Sequence, residues 1–196
     1  NYSKEIRDKY GNKILLYSGL MVHRKKVPIL LKAMPDVIQK HPDVHLILTG
    51  EGQFLSNYVS LSESLGIQKN VSFLGFVTDQ ELLKYYATSD IYVFPSALEG
   101  FGQVLLEAMA SGTPVICADI PPMSEIIEQG GKTFNLNDSI DLSEKIIYLL
   151  NNKELLKEYG ENSIKIAKRY EWSKIAEKYY NYCKKIVKSN HLNKKA

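Results

Sequence analysis

The sequence predicts an α/β fold built on a doubly wound parallel sheet of six strands. Short apolar segments alternate along the chain with longer segments whose apolar residues recur at helical spacing. The short segments are apolar at almost every position, which is typical of strands that are buried on both faces of a parallel sheet. A helical segment follows each of them and can serve as the crossover to the next strand.

The first half of the chain predicts three strands, each followed by a helix. Two of these strands run into a glycine, and the helix after the third strand begins with Thr78 and Glu81 at the spacing of a capping box. The strands are KILLYS at 13–18, VHLILTG at 44–50 and VSFLGF at 71–76, and the helices cover 27–40, 54–65 and 79–88.

The second half predicts three more strands and a long helical region. A proline marks the end of the fourth strand, IYVFPS, because proline inside a buried strand would remove a ladder hydrogen bond. The strands are expected over 91–96, 114–118 and 132–135, and the helices over 103–111, 123–128 and 139–187. The whole describes a Rossmann-like sheet with additional C-terminal helices.

Composition divides the chain into three parts. Residues 1–12 are polar and are predicted to be the remnant of an interdomain linker, and residues 188–196 are predicted to be a basic tail. The folded domain is expected over 13–187. The net charge of +3 does not call for nucleic acid as a partner, and no apolar run has membrane-spanning length, so we expect a cytoplasmic protein.

Two loops of the predicted sheet are rich in glycine, acids and bases. With the common strand order 3-2-1-4-5-6, ligands bind where the order reverses, between the carboxyl ends of the first and fourth strands. The loop after the first strand is GLMVHRKK at 19–26, and the loop after the fourth is SALEGFG at 96–102. We therefore expect these two loops to face each other across one cleft.

The residue types in these loops suit a nucleotide sugar. Gly100 and Gly102 allow backbone amides to approach a ligand closely, and they precede a helix N-terminus, a combination that favours phosphate. The basic residues at 24–26 can neutralise a diphosphate. Glu99 in the loop and Glu107 in the helix can each accept hydrogen bonds from sugar hydroxyls. Acids at the start of a helix also occur simply because they stabilise that end.

The same stretch resembles a known family. EGFGQVLLE at 99–107, followed by AMASGTPV, resembles the nucleotide-sugar-binding half of retaining glycosyltransferases of family 4, which have the GT-B fold. ILLYSG with the later Lys25, LILTGEG, VSFLGFV and SDIYVFPSALEGFG are similar to further motifs of that family. The resemblance covers nearly the whole chain and implies one of the two Rossmann-like halves of a GT-B enzyme.

The resemblance implies a role for each candidate residue. Glu99 would contact hydroxyls of the donor sugar and Lys25 would stabilise the leaving diphosphate, so these two are the predicted catalytic residues. Glu107 would hold the ribose, and the base would lie near Phe76 and Val77. The predicted donor-binding residues are Gly19, Arg24, Lys25, Phe76, Val77, Glu99, Gly100, Phe101, Gly102, Gln103, Val104 and Glu107.

One position departs from the family pattern. Leu20 stands where members usually carry an arginine, directly after the glycine of the first strand, so Arg24 or Lys26 would have to supply the second positive charge. The sequence contains no Asp-x-Asp. The resemblance therefore implies that no metal or other cofactor is required, because cationic side chains and a helix N-terminus take its place.

The resemblance also implies partners and a pathway. The expected reaction transfers a sugar from a UDP-sugar to a glycan or lipid-linked glycan acceptor in the synthesis of bacterial surface polysaccharide or glycolipid, such as O-antigen, capsule or lipopolysaccharide. An N-terminal domain would complete the active site, so the isolated chain would bind donor but transfer little. The basic C-terminal end would either touch the inner face of the plasma membrane peripherally or lie in solvent.

Two other classes of function stay open. One is a different enzyme of related fold, a nucleotide-sugar epimerase or a glycosidase, since a retaining glycosidase also uses two carboxylates about 5–5.5 Å apart. The other is a non-catalytic nucleotide-binding module, and Leu20 is the residue that favours it.

Overall fold

A parallel sheet of six strands organises the chain. The computed structural model describes residues 2–193, with side chains described up to residue 187. The strands are β1 (Lys13–Ser18), β2 (Val44–Thr49), β3 (Val71–Gly75), β4 (Ile91–Phe94), β5 (Val115–Ala118) and β6 (Gly131–Phe134). Their order is β3-β2-β1-β4-β5-β6, and all neighbouring pairs are parallel. The predicted fold class and strand order are confirmed.

Helices connect the strands and flank the sheet. They are α1 (Tyr2–Tyr10), α2 (Val27–Lys40), α3 (Leu55–Ser64), α4 (Asp79–Thr88), α5 (Gln103–Ala110), α6 (Met123–Ile127), α7 (Ser139–Leu150), α8 (Lys153–Ala167) and α9 (Trp172–Asn193). The predicted helical region over 139–187 is thus interrupted at two places. The first is residues 151–152, and the second is the 3₁₀ turn Lys168–Tyr170 together with Glu171.

The strands are buried on both faces, as their apolar composition predicts. Leu15 and Leu16 are neighbours on β1 and point to opposite faces of the sheet, and both are fully buried. The helix α7 packs on α2, and α8 packs on α5. Leu15 pairs with Ile91 of β4, so the carboxyl ends of β1 and β4 lie beside each other in the middle of the sheet.

The N-terminal residues, which the sequence predicts to be a linker remnant, form a helix. The helix α1 packs against α4 and buries Tyr10. The Arg7 guanidinium lies 3.0 Å from a carboxylate oxygen of Asp90 and donates to the Thr88 carbonyl at 2.9 Å. The sequence did not predict this helix, because its stabilising partners are 81 and 83 positions away along the chain. A connection to a further domain stays a prediction.

The C-terminal end continues as a helix into the predicted tail. The helix α9 extends to Asn193, so the backbone of residues 188–193 is helical. The side chains of residues 188–196 and the backbone of residues 194–196 lie outside the described residues. Within the part that is described, no helix combines the length and the apolar character that crossing a bilayer would require.

Candidate functional site

The loops after β1 and β4 lie side by side at the carboxyl end of the sheet. A backbone hydrogen bond of 2.8 Å joins them, in which the Ala97 amide donates to the Arg24 carbonyl. The strand order reverses at this point, so the connections to the two sides of the sheet diverge and leave a crevice. The predicted meeting of the two loops is confirmed.

Lys25 and Glu99 form an ion pair across this crevice. Lys25 ends a short 3₁₀ turn that begins at residue 23, and its Nζ atom lies 2.6 Å from Oε1 of Glu99. Both side chains are largely buried, with exposed fractions of 9% and 12%. The ammonium group also lies 4.7 Å from the ring centroid of Phe94, within the range of a cation–π contact. Such a buried pair is screened by salt far less than a surface pair.

One oxygen of Glu99 collects three donors. Besides Lys25, the Ser96 hydroxyl donates to Oε1 at 2.5 Å and the Arg24 guanidinium donates to it at 3.3 Å. Arg24, which is exposed, also donates to the Leu98 carbonyl at 3.1 Å. Among the described residues Oε2 of Glu99 has no hydrogen-bond donor, so this oxygen keeps its accepting capacity. The cluster therefore offers one carboxylate oxygen beside two cations.

The glycine turn after Glu99 leads into the N-terminus of α5. Gly102 precedes this helix with a φ of 81°, a left-handed conformation that glycine adopts without strain. The amides of Gln103 and Val104, in the first turn of α5, have no carbonyl partner within the helix and suit an anion. Gly100 has open space where a Cβ would lie. The partly exposed Phe101 ring meets Tyr170 edge-on, with centroids 5.8 Å apart.

Glu107 lies in the second turn of α5 and is half-buried. Its Oε2 atom accepts a hydrogen bond of 3.2 Å from the hydroxyl of Tyr86, a fully buried residue of α4. Tyr86 is absent from the predicted site, because helical spacing identifies α4 but does not say which side chain reaches α5. The one available signal is general: a buried tyrosine hydroxyl requires a polar partner.

Phe76 and Val77 follow β3 at the same edge of the sheet. Phe76 has 75% of its surface exposed, and Val77 is half-buried. Within the described residues no hydrogen bond, ion pair or ring contact joins either of them to Lys25, Glu99 or Glu107. Phe76 therefore presents an exposed aromatic ring on the β3 side of this edge, available for stacking.

The loops after β1 and β2 pack backbone against backbone. A Cβ at Gly50, where φ is +113°, would lie 2.1 Å from the carbonyl oxygen of Gly19. A Cβ at Gly52 would lie 2.5 Å from the carbonyl oxygen of Met21, and the Met21 amide donates to the Glu51 carbonyl at 2.8 Å. The backbone of Gly19, a predicted donor-binding residue, thus packs so closely on residue 50 that only glycine fits there.

Positive charge in the crevice comes from Lys25 and Arg24, because Leu20 supplies none. Leu20 is 55% exposed, and its carbonyl accepts a hydrogen bond of 3.1 Å from the Tyr17 hydroxyl. Arg24 is directed to the β4 side, where it contacts Glu99. In the described residues, no three His, Cys, Asp or Glu side chains are grouped so that they could hold a metal ion.

A comparison with protein families assigns the chain. A family model described as "Glycosyl transferases group 1" matches residues 1–166. The chain belongs to this family. The match includes both loops of the crevice and the pair Lys25 and Glu99, so the charged cluster lies within the part of the chain that defines a group 1 glycosyltransferase.

Two curated relatives of this group 1 glycosyltransferase chain come from bacteria. Spore coat protein SA of Bacillus subtilis is 34% identical over 179 residues, covering 86% of this chain and 48% of that protein. The phosphatidyl-myo-inositol mannosyltransferase of Mycobacterium leprae is 31% identical over 169 residues, covering 85% of this chain and 44% of that protein. The chain therefore spans about half the length, or less, of the curated relatives that it matches.

Solved structures similar to this group 1 glycosyltransferase chain include two that contain UDP. A TarM mutant of S. aureus in complex with Fondaparinux, α-GlcNAc-glycerol and UDP has a TM-score of 0.79 and 28% identity, over 87% of this chain and 35% of that chain. Anabaena HepE in complex with UDP and glucose has a TM-score of 0.78 and 26% identity, over 92% of this chain and 52% of that chain. The sheet is one Rossmann-like half of the GT-B fold, as the motifs implied.

Proposed function

We propose that the chain is the donor-binding half of a retaining glycosyltransferase that transfers a sugar from a UDP-sugar to a saccharide or lipid-linked saccharide acceptor. The observation that carries the proposal is the buried pair of Lys25 and Glu99 in the crevice where the strand order reverses. A carboxylate with one unpaired oxygen, placed beside cations and a helix N-terminus, matches a sugar that is attached to a diphosphate.

Each part of the donor would meet a different part of the cluster. Lys25 and the amides of Gln103 and Val104 would bind the diphosphate and stabilise the charge that develops on it as the glycosidic bond breaks. The unpaired oxygen of Glu99 would accept a hydrogen bond from a hydroxyl of the donor sugar. Glu107 would accept from the ribose hydroxyls, with the base toward Phe76.

Transfer with retained configuration requires the acceptor oxygen to form its bond on the face of the anomeric carbon that the diphosphate leaves. Lys25 suits this reaction, because a cation beside the diphosphate stabilises the departing oxygen. Proton NMR of the product formed by the full-length enzyme reports the anomeric configuration directly. An inverted product would contradict the retaining mechanism.

The proposed reaction needs no metal ion. Lys25 and Arg24 bring two positive charges to the crevice, and the N-terminus of α5 adds a partial charge of the same sign. Together they would balance a diphosphate in place of a divalent cation. Binding of donor should therefore be independent of magnesium.

The donor base and the acceptor class are inferred from the relatives. The TarM and HepE structures contain UDP, and one relative is a mannosyltransferase that acts on phosphatidyl-myo-inositol. These support a UDP-sugar donor and an acceptor in bacterial surface polysaccharide or glycolipid synthesis. Because the chain spans about half of its relatives or less, an N-terminal domain would supply the acceptor site. Peripheral contact with the cytoplasmic face of a membrane belongs to the same proposal.

A non-catalytic nucleotide-binding module is the second candidate, and one observation favours it. Leu20 is exposed at the loop that approaches the diphosphate, so a charge that helps the leaving group in this family is missing. Such a module would bind nucleotide through Glu107 and α5 but would transfer no sugar. Turnover by the full-length protein separates the two candidates.

Calorimetric titration of the chain with UDP, GDP and ADP tests the donor site. We expect micromolar-to-millimolar binding of UDP, unchanged by magnesium and weakened by Glu107→Ala. Glu144→Ala is the matched control, because Glu144 is an exposed glutamate of α7 outside the crevice. Binding that requires magnesium would contradict the metal-independent site, and equal binding of all three nucleotides would contradict selection of the base.

A further inference from the structure

A chain of buried hydroxyl groups leads from the centre of the sheet to Glu107. Ser18, the last residue of β1, has its Oγ atom 2.7 Å from the Tyr86 hydroxyl and 3.0 Å from the Tyr92 hydroxyl. Tyr92 on β4 also donates to the Ser18 carbonyl at 3.1 Å. Tyr86 in turn donates to Oε2 of Glu107 at 3.2 Å. Four side chains from β1, β4, α4 and α5 thus form one network.

The direction of the hydrogen bonds in this network follows from its last member. An ionised carboxylate only accepts hydrogen bonds, so the single hydroxyl hydrogen of Tyr86 must point to Glu107. The oxygen of Tyr86 is then an acceptor toward Ser18, and the Ser18 hydroxyl must donate to it. The hydrogen of Tyr92 remains for Ser18, through either its carbonyl or its Oγ atom. The hydrogens of Tyr86 and Ser18 therefore each have one acceptor, Glu107 and Tyr86 respectively.

Burial keeps the two phenols of the network neutral. Tyr86 and Tyr92 have 1% and 0% of their surfaces exposed. Burial raises the pKa of both phenols far above neutrality, so each hydroxyl keeps its hydrogen throughout the physiological pH range. A neutral donor of fixed direction holds the carboxylate in one orientation without competing for charge with a ligand.

The carboxylate of Glu107 is held by one oxygen only. Among the described residues Tyr86 is its hydrogen-bond donor, and the contact is made through Oε2. Oε1 is left to accept from a ligand, and Oε2 keeps part of its accepting capacity. Ser18 immediately precedes Gly19, so the same network also fixes the start of the loop on the other side of the crevice.

We infer that Tyr86 is a positioning residue that orients the carboxylate of Glu107 toward the vicinal hydroxyl pair of a nucleotide ribose. The inference rests on the proposed donor site and adds to it a residue that does not touch the ligand. Two neighbouring hydroxyls donate to one carboxylate only when that carboxylate is correctly turned. Tyr86 should therefore determine how strongly the site distinguishes ribose from 2′-deoxyribose.

The test compares UDP with 2′-deoxy-UDP in the wild-type chain and in Tyr86→Phe. We expect the wild type to prefer UDP about tenfold or more, the effect of one hydrogen bond to a charged group. In Tyr86→Phe we expect the preference to fall to about threefold or less, with the affinity for the deoxy form nearly unchanged. Ser18→Ala should reduce the preference less, because Tyr86 would still donate to Glu107.

Tyr85→Phe is the matched control, since Tyr85 is the neighbouring residue of α4 and its hydroxyl makes no hydrogen bond to Ser18 or Glu107. It should keep the full preference for UDP, and thermal unfolding of both variants shows that the fold is retained. An unchanged preference in Tyr86→Phe, or an equal loss of affinity for both nucleotides, would overturn the role of Tyr86 and leave the donor site standing. A wild-type chain that binds neither nucleotide would overturn the donor site and this inference with it.

Discussion

Glu99 and Glu107 lie eight positions apart in the sequence but are held by opposite means. Glu99 sits in a loop, and one of its oxygens receives two cations and a serine hydroxyl. Glu107 sits on a helix, and one of its oxygens receives a single neutral tyrosine hydroxyl. Both carboxylates keep their other oxygen for a ligand. The same residue type is therefore prepared for two different tasks by its donors.

The difference predicts how each acid responds to a charged ligand. A diphosphate competes with Glu99 for Lys25 and Arg24, so the ionic cluster can exchange partners when donor arrives. Tyr86 is neutral and buried, so a diphosphate has little effect on its bond to Glu107. If the proposed donor site is correct, one acid belongs to a cluster that changes when donor binds, and the other belongs to a network that stays fixed.

The largest effect should come from breaking the ionic cluster at Lys25. Lys25→Met keeps an unbranched apolar side chain but removes the charge and its contact with the Phe94 ring, so turnover of the full-length enzyme should fall about 100-fold or more as the leaving diphosphate loses its cation. Steady-state kinetics with the UDP-sugar measure this. Lys32→Met, on the exposed side of α2, is the matched control. Turnover close to that of the wild type would mean that Lys25 does not meet the leaving group.

Removing the charge at Glu107 should have a smaller effect of a different kind. Glu107→Gln should weaken UDP binding about tenfold, because a ribose hydroxyl loses a charged acceptor. The dependence of the affinity on salt should stay as in the wild type, since the diphosphate contacts are untouched. Calorimetry at two salt concentrations measures both. A changed salt dependence would place Glu107 near the diphosphate instead.

An arginine at position 20 would add the positive charge that Leu20 does not supply. Leu20→Arg should raise the affinity for UDP a few-fold, about 1 kcal/mol at most for an exposed charge. The gain should shrink at high salt, because the side chain at this position is solvent-accessible. Titration of UDP in low and high salt checks this. No gain at low salt would indicate that the first loop lies away from the diphosphate.

Arg24→Ala should have the smallest effect. Arg24 is 46% exposed at its side chain and meets Glu99 at 3.3 Å, so the free energy of unfolding should fall by only about 0.2–1 kcal/mol. Urea denaturation measures it. Arg169→Ala, which breaks another exposed ion pair, with Glu128, should cost a similar amount. A much larger loss for Arg24 would mean that Lys25 alone does not hold Glu99.

The sequence predicted the sheet because the relevant information is local. Apolar runs that end at glycine or proline identify the strands, and the common order of a doubly wound sheet places the first and fourth strands together. That order also predicts that the loops of Lys25 and Glu99 meet, but it does not predict the ion pair between them. The distance between the Lys25 and Glu99 side chains and the burial of both cannot be read from the strand order, because they depend on where Ser96 and Phe94 lie.

The features that the sequence did not predict depend on remote partners. The helix α1 has few apolar residues, and Asp90, far along the chain, pairs with Arg7 to stabilise it. Tyr86 belongs to a correctly predicted helix, but the direction of one hydroxyl group depends on the packing of α4 against α5 and β1. Periodicity identifies faces of helices and cannot identify a single hydrogen bond between them.

The backbone contact between Gly50 and Gly19 limits how this protein can evolve. Any other amino acid at position 50 would place a carbon atom 2.1 Å from the carbonyl oxygen of Gly19, so this position cannot change unless the two loops move apart. The loop after β4 carries Leu98 and Phe101, with 66% and 48% of their surfaces exposed. Adaptation to a new donor, in nature or in a directed-evolution library, would have to begin at exposed positions such as these and not at Gly50.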